Sequence, residues 1–318
     1  MHYVPNLFID KLSLLIAVSD QDRDQVDERL TDASEPFFGS LTFRGPGAGY
    51  RHRFALHAPN GEVIAVLAEP TDASKRFLKL EYAPARIGDD GRALLRDYLR
   101  FVLGRRYRRA FFDGTVLRID ITFDVRRIRL RDLWFTDLRP STRVTAVLRG
   151  AGGEVETFYF PLATRHRAAT RQLVVYDKKA EQELPSSRAE WLRVEYVMRK
   201  ADYPLGALYQ RMSSNPYNNF IVRRYRPIPG LLEWQSRSLF EACVLKGRAN
   251  VLAAVPPGER DRVEELIGSF GHWRVWGAAN RIWNQLRTRI VELLPPTGEI
   301  VAWRQVLQTA SARRQVSA

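Results

Sequence analysis

The stretch Arg118-Ile-Asp120-Ile-Thr-Phe-Asp124 alternates polar and apolar side chains without a break. Alternate residues of a strand share a face, so Ile119, Ile121 and Phe123 turn into a core while Arg118, Asp120, Thr122 and Asp124 turn the other way. Alternation with a period of two predicts a strand over 116–125. A face carrying two carboxylates offers oxygen donors to a hard cation such as magnesium or manganese. It offers them equally to the many arginines of this chain, and by spacing alone ion pairs are the first expectation.

Three further segments follow at strand-like spacing: Glu156-Thr-Phe-Tyr-Phe160, Val175-Tyr176-Asp177-Lys178-Lys179-Ala-Glu181 and Arg193-Val-Glu195. On the last of these Arg193 and Glu195 share a face, and Glu195 adds another candidate oxygen ligand. On the third, Tyr176 and Lys178 share a face, and a lysine beside a phosphate stabilises charge in a phosphoryl-transfer transition state. A solvated edge-strand lysine is the ordinary alternative.

Outward from these segments the chain reads as two β-rich halves. In the first, a polar helix over 21–31 starts after Ser19-Asp20. Strands at 50–57 and 63–68 are joined through Asn60-Gly61, a hairpin signal. A strand at 77–82 and an amphipathic helix over 90–103 follow. In the second, strands at 144–148 and 155–160 flank a turn at Gly150-Ala-Gly-Gly153, and strands at 172–178 and 191–198 come next. A helix is expected from Pro204, since proline suits the first helical position. After Pro227-Ile-Pro-Gly230 the sequence turns helical, over 231–294. The expected class is therefore α+β. Its parts are a sheet-and-helix half over 1–125, a second half over 126–227 with most of the chemical motifs, and a helical region over 228–318.

The chain has 318 residues, a formal net charge of +14 and a sequence pI near 10.2, the electrostatic footprint of a phosphate binder. Arginine clusters interleaved with tyrosine, at Arg105, Arg106, Arg108 and Arg109 and at Arg223, Arg224 and Arg226, suit phosphates and unpaired bases. Arg126, Arg127 and Arg193 extend the set. One cysteine, Cys243, excludes an internal disulfide and a cysteine-rich zinc site. It also favours a reducing, cytoplasmic setting. No apolar run is long enough for a membrane helix. There is no Walker lysine loop and no His-Glu-x-x-His. Tyr203, Tyr209, Tyr217 and Tyr225 crowd the segment after Glu195, and a tyrosine hydroxyl can attack phosphorus; spacing selects none of them.

The four central segments, in this order, resemble the replication initiation factor family, rolling-circle initiators of plasmids and filamentous phages related to some conjugative-element relaxases. The resemblance implies two ferredoxin-like, nickase-like antiparallel sheet halves in which acidic residues replace a histidine pair at the metal. It implies cleavage of one origin DNA strand by a tyrosine, with a 5′-phosphotyrosine link and a free 3′-hydroxyl. Carried onto this chain, it makes Asp120 and Glu195 the ligands of Mg²⁺ or Mn²⁺ with Asp124 a third, Lys178 a phosphate contact and Tyr203 the nucleophile, Tyr209 second to it. Single-stranded or hairpin origin DNA, a host helicase and polymerase, and a homodimer are the partners it implies. A DNA-binding protein that lacks the chemistry, and a relaxase, are the alternatives.

Overall fold

The computed structural model of the chain describes residues 4–31, 41–43, 49–58, 60–72, 75–138, 146–149, 155–161, 170–185, 189–212 and 214–294. In chain order the first elements are β1 (Leu7–Ala17), α1 (Asp20–Thr31), β2 (Leu41–Phe43), β3 (Tyr50–His57), β4 (Val63–Pro70), β5 (Phe77–Tyr82), α2 (Pro84–Leu103) and α3 (Tyr107–Asp113). Next come β6 (Thr115–Arg126), β7 (Leu133–Asp137), β8 (Ala146–Arg149), β9 (Val155–Pro161), β10 (Arg171–Asp177), α4 (Lys178–Glu181), β11 (Trp191–Arg199), α5 (Leu208–Arg211) and β12 (Phe220–Arg224). The rest are α6 (Glu233–Lys246), α7 (Arg248–Ala253), α8 (Arg260–Gly268), β13 (Gly271–His272), α9 (Ala279–Asn284) and α10 (Leu286–Glu292). The chain is thus α+β. The expected turn at 150–153 lies outside the described residues.

Two compact units divide the chain, and they do not follow its order. One comprises 8–121, 198–212 and 286–318; the other comprises 1–7, 122–197 and 213–285. The expected three-part division by sequence differs from this, because most of the helical region after 228 clusters with the second sheet and the residues after β11 return to the first unit.

In the unit built on 8–121 the strand order is β2-β3-β4-β5-β1-β6, with β2 through β5 antiparallel and β1 antiparallel to β5. The β3–β4 turn uses Asn60 and Gly61; the glycine sits at φ +85°, a conformation that costs a side-chain-bearing residue energy. Ser19 caps α1, accepting from the Asp22 backbone amide at 3.2 Å. In α2, Pro84 fills the first turn, Gly88 interrupts the helix at φ +63°, and Leu94, Leu95, Tyr98, Leu99 and Val102 are buried along one face.

In the other unit the order is β6-β11-β10-β9-β8, and a separate three-stranded sheet runs β13-β12-β7. Phe123, Phe135, Phe160, Tyr217, Phe220 and Trp276 pack mostly edge to face, with the Phe123–Trp276 and Phe135–Phe160 pairs tilted and ring centroids 5.2–6.4 Å apart. A second cluster, Trp134, Ile228, Phe240, Cys243, Val251, Ile267 and Phe270, joins α6, α7 and α8 to β7. Burial pushes the Cys243 thiol up to about 11.

Candidate functional site

Strand β6 keeps the predicted parity. Ile119, Ile121 and Phe123 are fully buried, and on the other face Asp120 and Thr122 are buried too. That polar face is dry enough that each carboxylate needs a partner. Arg118 supplies one: its Nε and Nη2 donate to Asp120 at 2.6–3.1 Å. Arg193, itself buried, supplies the other, donating from Nε and Nη2 to Asp124 Oδ1 and Oδ2 at 2.8 and 3.0 Å. Bidentate pairs of this kind are the stronger charge-assisted hydrogen bonds. Thr122 Oγ1, between them on the strand, is buried with no hydrogen-bond partner.

This geometry tests the expected ion. Four residues of strand separate Asp120 from Asp124 by about 13 Å, too far for one ion to hold both. Both oxygens of each carboxylate already accept guanidinium protons, and no group of three or more His, Cys, Asp or Glu among the described residues is arranged to hold a metal. The side chains as they stand fit arginines and do not fit a three-carboxylate metal centre. Glu195, on β11 beside Arg193 in sequence, is half-buried.

Lys178 departs from its expected setting. Strand β10 ends at Asp177, whose side chain accepts from the Lys179 and Ala180 amides at 2.9 and 3.1 Å and starts α4. Lys178 is therefore the first helical residue. Its Nζ sits 2.6 Å from Glu181 Oε2 and 5.7 Å from the centre of the Tyr176 ring, and the residue is buried. Lys179 and Arg129 both reach Glu190. Arg126 lies over the Trp191 ring, 3.6 Å from its centre.

The four tyrosines separate sharply. Tyr217 is fully buried among Phe123, Trp276 and Trp283, and its hydroxyl is pushed far up, first by burial and then by the charges of Tyr196 and Glu195. Tyr225 donates to the Glu233 carbonyl at 3.3 Å and has the Arg237 guanidinium 3.5 Å from its ring centre. Both are structural. Tyr203 and Tyr209 are partly exposed, and among the described residues neither hydroxyl has a protein partner.

Tyr203 is also held by its backbone. Beyond β11 the chain runs back along the start of β6: Lys200 N donates to Leu117 O at 2.6 Å, Val116 N to Tyr203 O at 2.9 Å and Leu205 N to Gly114 O at 2.9 Å. Lys200 and Asp202 adopt φ +51° and +56°, uncommon for residues with side chains. Pro204 bridges Thr115 in extended geometry, ψ 139°, so no α-helix begins there; a 3₁₀ turn starts at Leu205 and α5 at Leu208.

Of the ten arginines expected on DNA, Arg109 pairs with Asp113 at the surface and three more are held by other partners. Arg108 donates to the Leu294 carbonyl, Arg223 to those of Gly268 and Phe270, and Arg193 to Asp124. Arg105, Arg106, Arg109, Arg126, Arg127, Arg224 and Arg226 are exposed. A second acidic cluster gave no signal in the sequence: Glu69, buried on β4, meets His52 Nδ1 at 2.9 Å, Arg51 and Asp27 of α1. His52, Arg51 and Asp27 lie 17 to 42 positions from Glu69, with no shared motif.

No protein-family model matches the chain, and no curated protein matches it. Among solved structures, a rolling circle replication initiator protein from Geobacillus stearothermophilus is similar with a TM-score of 0.43 and 11% identity, over 88% of this chain and 97% of that one. A likeness of that size says nothing of chemistry. Among the described residues no helix is long and apolar enough to cross a membrane.

Proposed function

We propose that the chain nicks one DNA strand as an initiator of rolling-circle replication, with Tyr203 as the nucleophile. The observation that carries the reading is the segment 200–205. Two strained residues and four backbone hydrogen bonds to 114–117 pin Tyr203, which is partly exposed and whose hydroxyl has no protein partner among the described residues. Strain of this kind gathers where a fold holds a reactive group in place. The Tyr203 oxygen attacks phosphorus and gives up its proton to solvent. The bond from phosphorus to the 3′-oxygen breaks, and that oxygen takes up a proton. The product is a 5′-phosphotyrosine and a free 3′-hydroxyl. Exposed arginines hold the strand by its phosphates. Lys178 is the phosphate contact this reading assigns, a buried ammonium that pairs with Glu181.

The test is incubation with single-stranded and hairpin origin DNA, with Mn²⁺ or with chelator, followed by a search for a covalent adduct. Tyr203→Phe removes one oxygen, so folding and DNA binding persist while the adduct disappears. An adduct that survives Tyr203→Phe and is lost in Tyr209→Phe moves the role to Tyr209. An adduct that forms equally in chelator removes the divalent ion from the reaction. Salt-sensitive DNA binding with no adduct under any condition favours the second reading, a DNA-binding protein without the chemistry.

A further inference from the structure

A cavity of about 360 Å³ opens in the unit built on 8–121, between α1, the end of β1 and the junction of α2 with α3. That volume falls in the range of small-molecule sites. Ala17, Val18, Val26, Leu103 and Ala110 give it an apolar wall. Most of its polar groups are already satisfied. Ser19 donates to Asp22 at 2.5 Å, Arg29 donates to the Phe101 carbonyl at 2.9 Å, and Arg109 reaches Asp113 at 3.2 Å. Two are not: Gln25 and Arg106 line the cavity, both exposed, and among the described residues neither has a hydrogen-bond or ion-pair partner.

An apolar wall, one amide and one guanidinium are complementary to a particular kind of ligand. The wall suits a flat aromatic ring. A glutamine amide presents one donor and one acceptor side by side, which matches the edge of adenine. A guanidinium matches phosphate oxygens in pairs. We propose that this cavity takes a single nucleotide, its base against the apolar wall, its edge on Gln25 and its phosphate on Arg106. The nucleotide is either a free one or an unpaired residue of the DNA strand. The latter source rests on the nicking function proposed above; the site itself does not.

The experiment is titration of the full chain with AMP and, separately, with ribose 5-phosphate, which lacks the base. AMP binds the wild type more tightly than ribose 5-phosphate. Arg106→Ala weakens both by about tenfold or more, the loss of a charge-assisted contact. Gln25→Ala weakens AMP alone. Ala17→Phe fills the cavity and blocks AMP; if that variant does not fold, the two surface variants decide. Equal affinity for AMP and ribose 5-phosphate, unchanged AMP binding in Gln25→Ala and Arg106→Ala, or no binding of AMP at millimolar concentration each overturns the proposal. A single-stranded oligonucleotide carrying one 2-aminopurine separates the sources. Its fluorescence changes on binding wild type and not Arg106→Ala if the nucleotide belongs to the strand. It is the same for both proteins if the site takes free nucleotide, AMP binding then being retained. Adduct formation by Tyr203, read on the same samples, fails or succeeds independently of the AMP result.

Discussion

Asp124 and Glu69 are both carboxylates drawn against a sheet, and their surroundings treat them in opposite ways. Asp124 lies in the fork of one guanidinium, two parallel hydrogen bonds to two oxygens. Glu69 has more neighbours and a worse setting. His52 and Arg51 approach it, but Arg51 is drawn to Asp27 and leaves Glu69 at 3.5 Å, while Asp27 brings a second carboxylate. Burial, and then the hydrogen bond with Asp27, raise Glu69 to about 7. Burial works to raise Asp27 as well, but its hydrogen bonds from Glu69 and Arg51 outweigh that and hold it below its ordinary value. Below about pH 7 the folded protein therefore keeps one proton between the two, on Glu69. The contrast shows that the number of cations nearby matters less than whether one is committed in full.

The largest expected effect comes from breaking the committed pair. Arg193→Met leaves the Asp124 charge without its fork and lowers stability by about 2–4 kcal/mol, read from urea unfolding. Adding Asp124→Asn to that variant restores most of the loss; if the double variant is as unstable as the single one, the pair does not act as a unit.

Glu69→Gln has the opposite sign. In wild type the folded state holds a proton that the unfolded chain releases near 4.5 and the folded one near 7. The stability due to that proton is fully present below about 4.5 and is lost as pH rises through 7. At pH 8 the variant, which has no such charge to bury, is more stable than wild type by about 1–2 kcal/mol. Its stability is flat between pH 5 and 8, where that of wild type falls. Asp27 contributes in the other direction, with stability that is present above about 3.8 and lost as pH falls through its lowered value. A wild type whose stability rises over pH 5 to 8, with the variant unchanged, refutes the shared proton.

The smallest effect belongs to an acid that neither sheet buries. Asp113, paired with Arg109 at 3.2 Å and largely exposed, changes stability by less than about 0.5 kcal/mol as Asp113→Asn. The difference between wild type and variant shrinks further in 0.5 M salt, checked by the same unfolding curves.

Much of this was legible in the chain. The alternation of β6 put Ile119, Ile121 and Phe123 in the core, and Asn60-Gly61 marked its turn. The expectation that the acids would pair with arginines holds for Asp120 and Asp124. What could not be read was decided by contacts far apart in sequence. Asp124 and Arg193 lie 69 positions apart, and only pairing of their strands brings them together. Tyr217 shares its residue type with Tyr203, and only tertiary packing separates a core ring from an exposed hydroxyl. Pro204 fixed φ near −57°, a value common to helices and extended chain, so the sequence left ψ open. Lys178 was misplaced by one residue because Asp177 caps a helix where alternation alone continues the strand.

Cys243 has a practical consequence. It is the chain's one thiol, sealed in the α6 cluster and held protonated at neutral pH, so the protein is silent toward maleimides as it stands. A cysteine introduced at an exposed position becomes the one reactive sulfur without removal of the native residue. A fluorophore or spin label placed at Gln25 or Arg211 then reports on its own site in the otherwise unaltered chain.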